Sequence, residues 1–219
     1  MIKNITIDNV LPRVFAGMER EQPVAGSQVW LQRVTLESPH RYLIEAESGT
    51  GKSSLCSFIY GLRTDYSGNI LFDGVDTRSL TIDRWCELRR TSLAYLPQEM
   101  RLFSELTVAE NIDIKNRLTH HRSQQWIASA LERLGVDVKL NEKAARLSVG
   151  QQQRVAIVRA LCQPFSFLLV DEPVSHLDAR NNAIVARLIG ECADAAGAAV
   201  VATSVGNHLS LEFETILEL

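Results

Sequence analysis

The sequence predicts a single α/β domain built on a parallel sheet, with a helical segment inserted in its middle. Short apolar runs of strand length recur along the chain, and segments with helical spacing separate several of them, which is the order of β-α-β units. The chain has 219 residues, too few for two domains of ordinary size. One domain spanning residues 1–219 is therefore expected.

The first half of the chain supplies a strand, a loop and a helix, followed by short strands. Residues 41–46 (RYLIEA) form an apolar run that leads directly into ESGTGKSS, and SSLCSFIYGL then has helical spacing up to a glycine. In the next segment, Gly68-Asn69 and Asp73-Gly74 flank an apolar run, which is typical of short antiparallel strands. We therefore expect a small antiparallel β-subdomain beside the parallel core.

The middle of the chain changes to helical character. Residues 92–96 (SLAYL) read as a buried strand that ends at Pro97. No strand-like run occurs from about residue 105 to 135, and Ser123 is in position to cap a helix there. Residues 99–150, approximately, are therefore predicted to form a helical subdomain inserted into the core.

The last third of the chain returns to strands and a helix. Residues 165–170 and 198–203 are apolar runs of strand length, and residues 179–195 join them with a helical pattern. A helix between two buried strands is a crossover connection, so the two strands are expected to run parallel.

Composition and charge argue against several classes of protein. A formal charge of −3 does not suit a broad basic face, so no direct contact with nucleic acid is expected. No apolar run approaches the ~20 residues that a membrane-spanning helix needs. The N-terminus has no export signal, and the four cysteines lie far apart without a CxxC pair. These features predict a cytosolic chain with reduced, mostly buried thiols.

A phosphate-binding loop is predicted where the strand at 41–46 meets its helix. Residues 47–53 (ESGTGKS) match the P-loop pattern in all but its first glycine, where Ala46 stands. Glycines let successive backbone N–H groups surround a phosphate, the lysine brings a positive charge to the β- and γ-phosphates, and the serine hydroxyl ligates Mg²⁺. The predicted fold is therefore a P-loop NTPase. The residues predicted to bind nucleotide are Ser48, Gly49, Thr50, Gly51, Lys52, Ser53 and Ser54, with Lys52 also catalytic and Ser53 also a metal ligand.

Two acids close another apolar run. Residues 167–172 read FLLVDE, an arrangement that brings one carboxylate to a metal ion and the next to an attacking water. Asp171 is predicted to be the acid on the metal side, and Glu172 the general base for water. Two solvated acids that merely close a strand would be the better interpretation if this run stood alone, but the phosphate-binding loop accompanies it.

A third motif, LSVGQ at residues 147–151, is similar to the signature of a known family: the chain resembles an ABC transporter ATPase. The family signature is LSGGQ, and Val149 replaces its first glycine. In the family this segment begins a helix whose N-terminus faces the γ-phosphate held by the other subunit, and helix N-termini favour anions. The resemblance therefore implies that Ser148, Gly150 and Gln151 contact the nucleotide of a second subunit.

Further positions extend the resemblance from residue 41 to about residue 205. Gln98 follows a predicted strand and matches the Q-loop glutamine, which in the family touches Mg²⁺ and water and relays the nucleotide state to the membrane subunits. The resemblance thus implies a catalytic and metal-binding role for Gln98. Residues 175–178 (SHLD) match the D-loop pattern SALD, which implies that Asp178 lies at a dimer interface.

The chain departs from the family pattern in three places. Ser204 stands where the family has a switch histidine, and His208 follows four residues later; a hydroxyl cannot supply an imidazolium-like charge, so slow hydrolysis is expected. Phe15, at the end of the predicted first strand, is either the aromatic residue that stacks on adenine in the family or a core phenylalanine. Val149 and Ala46 each add a Cβ where the family has glycine close to phosphate.

Taken together, the resemblance implies a RecA-like core with an antiparallel β-subdomain and a helical subdomain. It implies an ATPase that uses ATP and Mg²⁺, dimerises as a homodimer or heterodimer, and drives a transmembrane transporter subunit from the cytoplasmic face of the inner membrane. In length and layout the chain is similar to the ATPases of lipoprotein-release and macrolide-efflux systems. Two alternatives stay open: a soluble ABC ATPase that does not transport, and a degenerate regulatory cassette with weak hydrolysis.

Overall fold

The computed structural model describes residues 1–219, which form two sheets and six α-helices. The strands predicted at residues 41–46, 92–96, 165–170 and 198–203 and the helix predicted at 179–195 lie within two residues of those bounds. In chain order the elements are β1 (Asn4–Pro12), β2 (Arg33–Glu37), β3 (Arg41–Glu45), α1 (Lys52–Ile59), β4 (Tyr66–Phe72), β5 (Val75–Asp76), α2 (Ile82–Thr91), β6 (Leu93–Leu96), α3 (Val108–Asn116), α4 (Gln124–Arg133), α5 (Val149–Ala160), β7 (Phe167–Asp171), α6 (Ala179–Ala196), β8 (Ala199–Ser204) and β9 (Thr215–Glu218).

The larger sheet is parallel throughout, with strand order β6-β7-β8-β3-β9, which confirms the predicted parallel core. Its central strands are buried on both faces, so they are continuously apolar instead of alternating. Along β7 the side chains of Leu168 and Val170 enter one apolar cluster, and those of Phe167 and Leu169 enter the other. The first cluster packs against α3 to α6, and the second packs against α1 and the smaller sheet.

The smaller sheet is antiparallel, with order β2-β1-β4-β5, as the glycine-flanked segment predicted. The pairing of β1 with β4 shifts register between Asp8 and Leu11. At this irregularity a Cβ on Gly68 would lie 2.1 Å from the carbonyl oxygen of Asn9, and Gly68 has φ +79°. No other residue type fits there, so the glycine permits the close crossing of the two backbones.

The chain between β6 and β7 is helical, as the sequence predicts for residues 99–150, and α5 continues beyond that range to Ala160. Each of its helices begins at a hydroxyl side chain that accepts a hydrogen bond from a backbone N–H of the first turn, an arrangement worth about 1 kcal/mol per helix. Ser123 caps α4 as predicted, and Thr107 and Ser148 head α3 and α5, each in a reciprocal capping box. The caps fix where α3, α4 and α5 begin, and α3 and α4 pack against α5.

This topology brings the predicted motifs together. The carboxyl ends of parallel strands meet at one edge of a sheet, and there the phosphate-binding loop follows β3, Gln98 follows β6 and Asp171 ends β7. Ser204 ends β8 at the same edge. Phe15 is not in β1, which ends at Pro12, but in the short 3₁₀ turn that follows. None of the helices combines the length and the apolar character needed to cross a bilayer.

Candidate active site

The loop between β3 and α1 has the backbone shape that phosphate binding needs. Gly49 and Gly51 both adopt positive φ, at +87° and +101°, and Gly51 is the N-cap of α1. A Cβ on Gly51 would lie 3.0 Å from the ring of Trp30, whereas the space beside Gly49 is open. Two glycines in left-handed conformation at the start of a helix are what a loop that surrounds a phosphate with backbone N–H groups requires.

Lys52 occupies the inside of this loop. Its ammonium donates hydrogen bonds to the carbonyl oxygens of Glu47 at 2.7 Å and Ala46 at 3.3 Å, and only 5% of the residue is exposed. Burial lowers the pKa of Lys52, while the nearby carboxylates of Glu172 and Asp171 act in the opposite direction. The amine is thus held among carbonyl groups at the point where a triphosphate would enter.

Thr203 joins the two predicted acids. Its hydroxyl donates to Oδ1 of Asp171 at 2.6 Å and accepts the backbone N–H of Glu172 at 3.1 Å. Asp171 is almost fully buried, with 1% exposure, so this hydrogen bond compensates for the loss of water around its carboxylate. Thr203 is not among the site residues predicted from the sequence. The signal would have been the pairing of β7 with β8, which sets Thr203 directly opposite Asp171.

Glu172 lies between the other two residues predicted to be catalytic. Its Oε2 accepts a hydrogen bond from Nε2 of Gln98 at 3.1 Å, and its Oε1 lies 4.0 Å from the ammonium of Lys52. Glu172 also has φ +47°, a conformation that non-glycine residues adopt rarely and that recurs at active sites. The fold therefore assembles a carboxylate, an amide and an ammonium from three separate segments.

The predicted Mg²⁺ ligands fit such an ion by the chemistry of their donors. Asp171 offers Oδ2 and Gln98 offers Oε1, neither of which accepts a protein hydrogen bond, and Ser53 is exposed in the first turn of α1. Carboxylate, amide and hydroxyl oxygens are hard donors, and Mg²⁺ combines a few such groups with several waters. These residues could therefore hold the ion beside the loop.

The LSVGQ segment forms the N-terminus of α5. The Ser148 hydroxyl accepts the Gln151 N–H at 3.3 Å, and the Gln151 side chain accepts the Ser148 N–H at 2.9 Å. A Cβ on Gly150 would lie 3.0 Å from the carbonyl oxygen of His176. No hydrogen bond joins this segment to the phosphate-binding loop of the same chain. The helix N-terminus is thus preformed but does not contact the chain's own loop through hydrogen bonds.

Two aromatic rings of the apolar core pack against the phosphate-binding loop. The buried indole of Trp30 donates a hydrogen bond to the Thr50 carbonyl at 3.0 Å, a contact that the sequence analysis missed. Phe15 is 8% exposed, and its ring edge would lie 3.3 Å from a Cβ on Gly51. Phe15 therefore lies next to the loop, but most of its ring belongs to the core. Ser54 of the predicted loop accepts a hydrogen bond from Arg63 at 2.9 Å.

Ser204 and His208 lie close to the start of the loop. Ser204 is fully buried, its carbonyl accepts the Ala46 N–H at 3.2 Å, and its hydroxyl has no hydrogen-bond partner. Nδ1 of His208 lies 3.9 Å from Oε1 of Glu45, and its side chain is 53% exposed. Glu45 lines a cleft of about 810 Å³ that also borders Gly49. His208 itself is exposed to solvent and does not line this cleft.

Comparisons with known proteins agree with this geometry. A family model described as ABC transporter matches residues 32–175. The chain is 37% identical over 68% of its length to the lipoprotein-releasing system ATP-binding protein LolD of Buchnera aphidicola, covering 66% of that protein. It is 32% identical over 85% of its length to LolD of Shewanella frigidimarina, covering 79% of it. To the macrolide export ATP-binding/permease protein MacB of Mannheimia succiniciproducens it is also 32% identical over 85%, but covers only 29% of that longer protein.

A solved structure has the same architecture. It is a dimeric post-hydrolysis state of the ATP-binding cassette MJ0796 bound to ADP and Pi, with TM-score 0.72 and 25% identity. The match covers 93% of this chain and 88% of that one. The family match spans the phosphate-binding loop, the LSVGQ segment and both acids. The chain therefore belongs to the ABC transporter family, within which it is an ATP-binding cassette.

Proposed function

We propose that this chain binds ATP with Mg²⁺ at its phosphate-binding loop and hydrolyses it in a dimer of cassettes to drive a membrane-spanning transporter subunit. The juxtaposition of Lys52, Glu172 and Gln98 at the carboxyl edge of the parallel sheet carries this proposal. It places an ammonium for the phosphates beside a carboxylate that can take a proton from water.

The chemical step follows from these positions. Glu172 orients a water molecule and accepts its proton as the water oxygen bonds to the γ-phosphorus. The bond between that phosphorus and the bridging oxygen breaks, and its electron pair leaves with ADP. Lys52 and the N–H groups of the loop stabilise the charge on the phosphoryl oxygens. Mg²⁺ bound by Ser53, Asp171 and Gln98 would neutralise phosphate charge.

The second cassette completes the site. Ser148, Gly150 and Gln151 form a preformed helix N-terminus that makes no hydrogen bond to its own loop, so they are free to face the γ-phosphate held by another subunit. Asp178 caps α6 and contributes to the same interface. The relative MJ0796 was solved as a dimer, which supports this arrangement.

The proposed result of ATP hydrolysis is a movement of the Q-loop, which contains Gln98, and of the helical subdomain. Gln98 contacts Glu172 on one side, and on the other side its loop leads into α3. Phe103, on this segment, is 55% exposed, so an apolar side chain is available to a partner. The names of the LolD and MacB relatives refer to lipoprotein release and macrolide export. We therefore place this cassette on the cytoplasmic face of the inner membrane, docked on a transmembrane subunit.

The purified wild-type chain and Glu172→Gln test this function. The variant keeps an acceptor for Gln98 but loses the base, so it should bind ATP with unchanged affinity and turn it over about 10³-fold more slowly. Glu132→Gln, an exposed change on α4 with no side-chain contact, is the matched control and should leave both quantities unchanged. Equal turnover by Glu172→Gln and wild type would overturn the proposal.

A regulatory cassette with weak hydrolysis is the second candidate, and the buried serine at position 204 favours it. A regulatory cassette would bind ATP with the same affinity but show no turnover that Glu172→Gln could abolish. Measuring both affinity and turnover for the wild-type chain alone therefore distinguishes the two functions.

A further inference from the structure

We propose that His176 of one cassette is a catalytic residue for the nucleotide bound by a second copy of this chain, in place of the histidine that is missing at Ser204. The inference rests on the proposed function, because it requires that the N-terminus of α5 face the phosphates of another subunit. It assigns a role to the one residue of the SHLD segment that differs from the family pattern SALD.

The backbone of His176 is fixed to the LSVGQ helix. Its carbonyl oxygen would lie 3.0 Å from a Cβ on Gly150, a tight contact that the absence of a side chain relieves. Its N–H donates to Oε1 of Gln153 at 3.2 Å, one turn further along α5. Any movement that brings Gly150 to the phosphates of another subunit therefore carries His176 with it.

The imidazole of His176 is exposed, and one of its two nitrogens is left without a protein partner. Nδ1 lies 3.0 Å from the hydroxyl oxygen of Ser175, which also accepts Nε2–H of Gln153 at 3.4 Å. When the serine donates its proton to Nδ1, the ring proton is on Nε2. In that tautomer Nε2 presents an N–H donor at the surface beside Gly150.

The chain's own site lacks such a donor on the β8 side. Ser204 is fully buried and its hydroxyl contacts no polar group. His208 lies beside Glu45, before the loop begins, at 3.9 Å between Nδ1 and Oε1. A carboxylate next to His208 competes with phosphate for the imidazole. The exposed donor beside the helix N-terminus is the better placed of the two histidines.

The role that the structure assigns to His176 is hydrogen bonding, without covalent chemistry. Nε2–H donates to a γ-phosphoryl oxygen while water adds to phosphorus and ADP leaves, and no bond to the imidazole forms or breaks. A donor fixed in advance where charge develops lowers the barrier without reorganising during the step.

Three single variants test the role. His176→Ala should lower kcat about 100-fold with KM for ATP little changed, the loss expected for one donor to developing charge. His176→Gln keeps an N–H donor and should recover part of the rate. His208→Ala, the matched change at the exposed histidine near the start of the loop, should leave kcat unchanged. Full activity in His176→Ala, or a loss confined to His208→Ala, would overturn the inference.

A mixing experiment determines whether His176 acts on the other subunit. His176→Ala and Glu172→Gln chains, each expected to turn over at no more than about a hundredth of the wild-type rate alone, are combined in equal amounts. Phosphate release is then followed through the first turnover. In a mixed dimer, action across the interface leaves one site with both Glu172 and His176. Random pairing of a two-fold dimer then restores about a quarter of the wild-type rate. If His176 served its own chain, every site would lack one group and nothing would be restored.

The outcomes separate this inference from the proposed function. Failure of Glu172→Gln to lower turnover contradicts the function itself. If Glu172→Gln is inactive as expected but the mixture shows no recovery, the function stands and the role of His176 across the interface is wrong.

Discussion

The side-chain amide of Gln98 donates a hydrogen bond to Oε2 of Glu172 at 3.1 Å, although 74 positions separate the two residues in sequence. Parallel neighbours β6 and β7 end at the same edge of the sheet, so the contact follows from the topology. It fixes the orientation of the carboxylate that we propose as the base, and it connects that carboxylate to the segment leading into the helical subdomain.

Removal of this amide should slow hydrolysis without preventing ATP binding. In Gln98→Ala the Glu172 carboxylate loses its orienting donor, and we expect kcat to fall about 10- to 100-fold. Gln98→Glu should be more severe, because two carboxylates at this separation cannot both be ionised easily. Initial rates at saturating ATP measure the effect, with exposed Gln124→Ala as control. A Gln98→Ala chain with the wild-type kcat would contradict the orienting role.

Thr203→Val should lower both stability and turnover. The variant has nearly the same shape but leaves Oδ1 of buried Asp171 and the N–H of Glu172 without their hydroxyl partner. An unsatisfied buried group of this kind costs about 1–3 kcal/mol, more when it is charged. Urea unfolding should show that loss, and the ATPase rate should fall with it.

Two control variants test whether the loss of the buried hydroxyl is the cause of the Thr203→Val effect. Thr203→Ser keeps the hydroxyl and should stay close to wild type. Thr35→Val changes an exposed threonine whose only side-chain partner is Thr6, so its free energy of unfolding should change by less than about 0.5 kcal/mol. Equal stabilities for Thr203→Val and Thr35→Val would contradict the role of the buried hydroxyl.

Trp30→Phe should weaken nucleotide binding more than catalysis. The change keeps an aromatic ring beneath Gly51 but removes the N–H that holds the Thr50 carbonyl at 3.0 Å. A loop released in this way must be ordered by the ligand, and a cost of about 1.4 kcal/mol raises the Kd for ATP tenfold. Calorimetric titration measures it. Trp126→Phe, whose ring stacks on Arg122 in the helical subdomain, should bind ATP normally; equal Kd values for the two variants would contradict the prediction.

The sequence predicted those parts of the site that single segments carry. The loop around Lys52 and the acid pair at the end of β7 are local patterns, and their chemistry depends on residues that are neighbours in the chain. The hydroxyl bridge from Thr203, the indole support from Trp30 and the approach of His176 to Gly150 each depend on strand register or on packing between distant segments. No local pattern encodes those contacts.

Helix α2 is an element of the fold that the hydrophobic pattern of the sequence does not predict. Residues Ile82–Thr91 contain a single buried side chain, Leu88, so they lack the apolar periodicity from which a helix is predicted. The helix is marked instead by its cap, since Thr81 accepts the Arg84 N–H. A surface helix with one buried residue and one partly buried tryptophan, Trp85, has too few apolar positions for periodicity to reveal it, so its cap is the clearer sequence signal.

Lys115→Met should stabilise the protein near neutral pH. Burial and, as a smaller contribution, the neighbouring Arg159 together lower the pKa of Lys115 to about 8. Arg159 itself donates to the carbonyl of Arg101 at 2.8 Å and also to that of Met100, and no salt bridge to an acid compensates either cation. Keeping the amine protonated in the folded state therefore costs free energy, which we place at about 1–2 kcal/mol after allowance for solvent screening.

The pH dependence gives the sign of this effect. Below pH 8 the Lys115 amine is protonated in both the folded and the unfolded chain, so the free-energy cost of burying its charge is fully present. Between pH 8 and the unfolded pKa of about 10.4, the unfolded chain holds more protons than the folded one. The free energy of unfolding of the wild-type chain therefore rises with pH in this range. The advantage of Lys115→Met in urea unfolding should therefore be largest near pH 7 and shrink toward pH 10. Lys3→Met, at an exposed lysine, should show no such trend. A Lys115→Met advantage that stayed constant over this range would mean that apolar packing, and not the buried charge, is its cause.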